Sequence, residues 1–136
     1  MTPGDGVEMT PVILVVEDNE RNLKLLRDVL EYGGYDVRAA RTAEDGITLA
    51  VDEPPDLVLM DLQLPGIDGV EALRRLRESP RTADIPVVAV TAQAMKQDRE
   101  RALRAGFDGY VEKPINVRAF PDQVRRFLAG EEVEAE

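Results

Sequence analysis

Histidine and cysteine are both missing from this chain of 136 residues. Without cysteine there is no disulfide framework and no thiolate metal site. Without histidine the chain lacks the usual general base and the commonest transition-metal ligand, and it carries no phosphohistidine of its own. Any phosphoryl group that reaches it through a histidine must come from a partner. No apolar stretch approaches the roughly 20 residues of a membrane span. No basic, apolar and small-residue series marks a signal peptide. No Gly-Lys-Ser/Thr occurs, so there is no P-loop. Basic charge is scarce as well: 17 Lys and Arg face 27 Asp and Glu, for a net charge of -10. Asp5, Glu8, Glu131, Glu132, Glu134 and Glu136 lie in two tails without Lys or Arg, which leaves a mildly acidic body. Such a body is unsuited to non-specific nucleic-acid binding. The expectation is a soluble, cytoplasmic protein that binds neither nucleic acid nor membrane.

What remains is ample for one folded unit. Hydrophobic residues make up 43% of the chain, and its length suits a single domain. Residues 1–10 read as a disordered lead, 11–130 as the domain and 131–136 as an acidic disordered tail. Two apolar runs, Val12–Val16 and Leu57–Met60, suit strands buried on both faces of a parallel sheet. Tyr35–Ala40, Ile85–Thr91 and Phe107–Glu112 give three more strands. Helices alternate with them. The first carries Leu23, Leu26 and Leu30, joined by Leu25 and Val29, and stops at Gly33-Gly34. Thr42 caps a second over Ala43–Asp52, with Ile47 and Val51 on one face beside Leu49 and Ala50. A third spans Gly69–Glu78, with Val70, Leu73 and Leu76 facing in and Glu71, Arg74, Arg75 and Arg77 facing water. Those arginines are either a solvated face or a partner surface. The fourth, Met95–Ala105, has little to bury and is expected to be loosely held. The fifth, Val117–Ala129, buries Phe120, Val124, Phe127 and Leu128. Strand and helix alternate five times, so the fold class is α/β: a doubly wound parallel five-stranded sheet with helices on both faces.

The strand ends carry the chemistry. Glu17-Asp18 follows the first strand, Asp61 ends the third, Thr91 the fourth and Lys113 the fifth. Each has a plain explanation: Asp61 as a solvated loop carboxylate, Asp18 or Asn19 as an N-cap. Together they are harder to dismiss, because open α/β sheets place their sites along this edge. Two carboxylates about 5 Å apart repel by roughly 3 kcal/mol at an effective dielectric of about 20. Three carboxylates and one lysine leave negative charge that a hard divalent cation bound by oxygen would offset, and Mg²⁺ suits few protein ligands plus waters. Asp61 could then act as nucleophile toward a phosphoryl group. Lys113, the Thr91 hydroxyl and nearby backbone N–H groups would stabilise its oxygens, and small Ala92 would leave room.

In order and spacing, Glu17-Asp18, Asp61, Thr91-Ala92 and Lys113-Pro114 resemble the signature of response-regulator receiver domains of two-component signalling. The resemblance runs from about Val12 to Ala129. It implies a flavodoxin-like (βα)5 fold with strand order 2-1-3-4-5. It implies phosphorylation of Asp61 by a histidine kinase or histidine phosphotransfer protein, and a downstream protein target. No small-molecule substrate beyond phosphodonors is implied. Mg²⁺ would be held by Asp18, Asp61 and the carbonyl of Gln63, with Glu17 acting through water. Lys113 would pair with the phosphate, across a cis bond to Pro114. Thr91, Ala92 and Tyr110 would form the switch, and Gln63 and Gln93 would tune dephosphorylation. Tyr110 could equally be core-edge packing, and the two glutamines ordinary loop residues. Such a protein is no conventional enzyme, but it catalyses its own phosphoryl acceptance and slow autodephosphorylation. About seven residues follow Ala129, so no output domain is expected. Val16–Asn22 and Val90–Lys96 resemble DivK-type single-domain regulators, although receivers fused to hybrid kinases share much of this wording. Two other readings are a receiver-shaped binding module that works without phosphate, and a small flavodoxin-like enzyme or FMN carrier. Glu17-Asp18 would repel the phosphate that an FMN carrier must cradle.

Overall fold

Residues 10–92 and 95–130 are described by the computed structural model. The expected lead apart from Thr10, the expected tail and the expected tuning residue Gln93 lie outside these residues. Ten elements alternate along the described residues: β1 (Val12–Val16), α1 (Glu20–Tyr32), β2 (Asp36–Ala40), α2 (Ala43–Asp52), β3 (Leu57–Asp61), α3 (Gly69–Glu78), β4 (Val87–Thr91), α4 (Lys96–Ala105), β5 (Gly109–Glu112) and α5 (Phe120–Leu128). All pairings are parallel, and the strands lie in the order β2-β1-β3-β4-β5. This is the flavodoxin-like order implied by the resemblance.

Local chemistry sets the element ends. Asn19, Thr42 and Asp68 accept from the backbone N–H groups of Asn22, Asp45 and Glu71, at 3.0, 3.0 and 2.8 Å, and so cap α1, α2 and α3. Gly106, at φ +112°, ends α4 in the left-handed conformation that glycine adopts without strain. Asp56 locks the first two central strands: its N–H donates to Val12 O at 2.8 Å, and its Oδ2 accepts from Val12 N at 2.7 Å.

The central strands are apolar on both faces because both faces are covered. Ile13, Val15, Leu57 and Leu59 pack with Leu26, Leu30, Phe120 and Phe127 of α1 and α5. Leu14, Val16, Val58 and Met60 pack on the other side with Ala43, Ala50, Leu73 and Ala102 of α2, α3 and α4. Alternate side chains of one continuous run therefore serve two cores.

Several helix faces differ from expectation. Val70 is 48% exposed rather than inward, because the buried stripe of α3 is Gly69, Ala72, Leu73 and Leu76. On α2 the most buried residues are Ala43, Gly46 and Ala50, while Ile47, Leu49 and Val51 are half-buried. A Cβ on Gly46 would lie 2.8 Å from Val16, so small residues bring this helix close to the sheet. Leu25 is 40% exposed and Leu128 half-buried. Arg77 is half-buried rather than turned to water. Its guanidinium donates to the carbonyls of Ala83 and Ile85 at 3.2 and 2.6 Å and to Asp108 at 2.8 Å, bracing the approach to β4. The strands β2, β4 and β5 start later than the apolar runs suggest, at Asp36, Val87 and Gly109.

Candidate functional site at the carboxyl edge of the sheet

Sheet register gathers the candidate residues. Val16 lies beside Met60, Asp61 beside Val90 and Thr91 beside Glu112. The residues that follow these pairs, Glu17 and Lys113, therefore flank Asp61 and Thr91 along one edge. The Lys113 N–H donates to Thr91 O at 2.8 Å, and the Glu17 N–H to Ala40 O at 2.9 Å, so the ladders continue past the strand ends.

Glu17, Asp61 and Thr91 are buried, 1%, 4% and 0% exposed. Lys113 bridges the two acids: Nζ donates to Glu17 Oε1 at 2.7 Å and to Asp61 Oδ2 at 3.0 Å. The second oxygen of each acid accepts a backbone N–H, from Asn19 to Glu17 Oε2 at 3.1 Å and from Gln63 to Asp61 Oδ1 at 2.8 Å. Asp61 is thus held at both oxygens, one by a charge and one by the loop after β3. The Lys113–Pro114 bond is cis, as the resemblance implied.

Burial raises the Glu17 carboxyl above the usual carboxylate range, and the charge of Asp61 adds to this; the bonds from Lys113 and from the Asn19 N–H act in the opposite direction without cancelling it. For Lys113, burial acts to lower the ammonium, but its bonds to Glu17 and Asp61 outweigh burial and its value is raised.

Asp18 is exposed, yet an oxygen from each of Glu17, Asp18 and Asp61 falls within 4.8 Å of the others. Three hard oxygen donors this close, with one lysine among them, fit a small divalent cation with room for water on the Asp18 side. The capping alternative is resolved residue by residue. Asn19 caps α1, which leaves both acids free to face Asp61.

Gln63 approaches the site twice. Its backbone N–H holds Asp61, and its side-chain Oε1 accepts from Ala92 N at 3.3 Å. Ala92 is exposed at the mouth. Tyr110 is turned inward, 4% exposed, and packs in the core shared by α2, α3 and α4. Arg41 also stands at this edge and played no part in the sequence reading. Its Nη2 donates to the Asp18 carbonyl at 3.2 Å. The available signal was its place one residue beyond β2, the strand beside β1.

Comparison with known proteins converges on one family. The family described as response regulator receiver domain matches residues 13–125. The polar-differentiation response regulator DivK of Brucella ovis is 42% identical over 120 residues, which cover 88% of this chain and 98% of the relative. Among solved structures, the receiver domain of sensor histidine kinase PA1611 from Pseudomonas aeruginosa, with a magnesium ion coordinated in its active site cleft, superposes with a TM-score of 0.81 at 31% identity, covering 89% of this chain and 99% of that one. A CheY-like response regulator receiver domain protein from Methanospirillum hungatei gives 0.80 at 30% identity, over 89% and 95%.

Proposed function

This chain belongs to the response-regulator receiver family, and on that premise we propose that it is a single-domain response regulator, cytoplasmic, which accepts a phosphoryl group on Asp61 from a phosphohistidine donor. One observation carries this reading: Asp61 is a buried carboxylate held by Lys113 on one oxygen and by the Gln63 N–H on the other, with Glu17 and Asp18 beside it.

In the transfer, an Asp61 oxygen bonds to phosphorus as the bond between phosphorus and the donor imidazole breaks. The electron pair of that bond leaves with the imidazole, which takes up a proton. Because this chain has no histidine, the donor is a kinase or a phosphotransfer protein. Lys113 already sits 3.0 Å from the Asp61 carboxylate, and its ammonium follows the charge from carboxylate to phosphoryl oxygens. In this reading Thr91 and the Ala92 N–H would serve as further donors. The Gln63 side chain now occupies that N–H and yields it to the phosphoryl oxygen. Asp18, Asp61 and the Gln63 carbonyl would hold Mg²⁺, with Glu17 acting through water; when bound, the ion supplies positive charge toward the phosphoryl oxygens. The DivK relative and the magnesium-bearing receiver support both parts of this reading.

A small cleft lined by Asn22, Leu25, Leu26, Lys113, Pro114 and Ile115 opens beside Lys113 and suits the apolar side of a donor. A second cleft, about 190 Å³, is lined by Tyr110, Glu112, Pro114, Asn116, Ala119 and Gln123. It borders the Tyr110 position and suits a downstream target. Phosphorylation adds roughly two negative charges at Asp61, draws Thr91 and Lys113 inward and changes the partner this second face prefers.

Incubation with acetyl phosphate and Mg²⁺ followed by intact mass measurement should add one phosphoryl group, and Asp61→Ala should abolish it. An Asp61→Ala protein that gains phosphate with unchanged kinetics overturns the assignment. An Asp61→Ala protein that binds every target as wild type does would instead favour a phosphate-independent module.

A further inference from the structure

The three carboxylates at the sheet edge are not held equally. Glu17 is buried and fixed by Lys113 at 2.7 Å and by the Asn19 N–H at 3.1 Å. Asp61 is buried and fixed by Lys113 and Gln63. Asp18 is exposed, so its direction depends on the backbone that carries it. That backbone is the short turn from Glu17 to Asn19, between β1 and the cap of α1. Two contacts tie the turn to the end of β2. The Glu17 N–H donates to Ala40 O at 2.9 Å, and Arg41, the next residue, donates from Nη2 to the Asp18 carbonyl at 3.2 Å. The Arg41 Nη1 faces Glu20 at 3.7 Å, at the start of α1.

We propose that Arg41 is a positioning residue for the cation site: by holding the Asp18 carbonyl, it fixes the peptide that aims the Asp18 carboxylate at the site shared with Glu17 and Asp61. This rests on the reading of that site as one for Mg²⁺. Ligand orientation by a partner behind the ligand is a general feature of metal sites, and loss of such a partner lowers affinity.

The charge of Arg41 makes the test directional. A guanidinium near a cation opposes it, so if charge were its only effect, removing Arg41 would tighten Mg²⁺ binding. If Arg41 positions Asp18, removing it weakens binding. Arg41 is 57% exposed, so its substitution leaves the core intact.

Mg²⁺ affinity is measured by titration calorimetry on wild type, Arg41→Ala, Arg41→Lys and the control Asp18→Asn. Amide exchange of residues 17–20 is measured in the same proteins without metal. Expected are an affinity about tenfold weaker in Arg41→Ala, the lower end of what such partners cost, substantial recovery in Arg41→Lys, and faster exchange in the turn of Arg41→Ala. Affinity unchanged or tighter in Arg41→Ala overturns the proposal, as does turn exchange equal to wild type. If wild type itself binds no Mg²⁺, or Asp18→Asn binds it as well as wild type, the reading of the site falls and the proposal falls with it. If these controls behave as expected and only the Arg41 variants do not, the Arg41 inference alone falls.

Discussion

Lys113 is the residue on which the site's electrostatics balance. Two buried or nearly buried carboxylates share its ammonium, at 2.7 and 3.0 Å, and its own side chain is 14% exposed. Methionine in its place keeps most of the apolar stem and removes the charge, which leaves Glu17 buried without a counter-ion. Breaking one partner out of a buried ion pair costs about 3 kcal/mol. Lys113→Met should therefore lower stability by about that amount in urea unfolding at neutral pH. Mg²⁺ should restore part of the loss, because a cation held by the same carboxylates relieves the same repulsion. No loss without metal, or no recovery with it, would show that the three acids do not feel one another as the distances imply. The raised ammonium of Lys113 gives the sign of its pH dependence. Its stabilising contribution is complete below the unfolded lysine value and is lost only as pH rises through the folded one.

Among the elements, α3 shows how a helix can be amphipathic and charge-braced at once. Its buried stripe is Gly69, Ala72, Leu73 and Leu76, and its outer face pairs Glu71 with both Arg74 and Arg75. Hydrogen bonds from Arg74 and Arg75 pull the Glu71 carboxyl down to about 2. A group lowered in the folded state contributes stability above its unfolded value, and that contribution is lost as pH falls through the folded one. The window here lies between pH 4.5 and about 2. Glu71→Gln should flatten the acid limb of unfolding in that window at low salt. The pair is exposed, so added salt should shrink the difference between the two proteins. An acid limb unchanged by the substitution at low salt would mean that the arginines do not hold Glu71 in solution. The helix α4 contrasts with this. Of its residues only Ala102 is buried, and Leu103 is 47% exposed. Such an element moves at little cost in packing.

At the scale of the whole molecule, that contrast predicts where a signal at Asp61 would travel. The site touches β1, β3, β4 and β5, and only the β4 and β5 side leads to a loosely packed helix. Beryllofluoride with Mg²⁺, as a stand-in for phosphate, should change amide exchange over α4 and around Tyr110 while β2 and α2 stay as before. Equal exchange over 96–112 with and without it would count against a switch on this side. By linkage, a target that binds the altered face should also favour the phosphorylated state.

Much of this was written locally in the chain. Continuous apolar runs, the Thr42 cap and the candidate cap Asn19 are properties of neighbouring residues, so they are legible without a fold. Parallel strands then bring Glu17, Asp61, Thr91 and Lys113 to one edge, because each ends a strand or directly follows one there. What stayed hidden depends on distance across the fold. Hydrophobicity pointed to Val70 as an inward residue, but Val70 and Ala72 lie on nearly opposite sides of α3, and packing turned the small residues Gly69 and Ala72 toward the sheet instead. Nor could periodicity show that Arg77 reaches the β4 approach and Asp108, or that the Gln63 side chain spans to Ala92. Residue types and element order came from the sequence alone; the hold of Arg41 on Asp18 was decided only when β2 was laid beside β1, because a hydrogen bond between residues so far apart in the chain exists only once the sheet has formed.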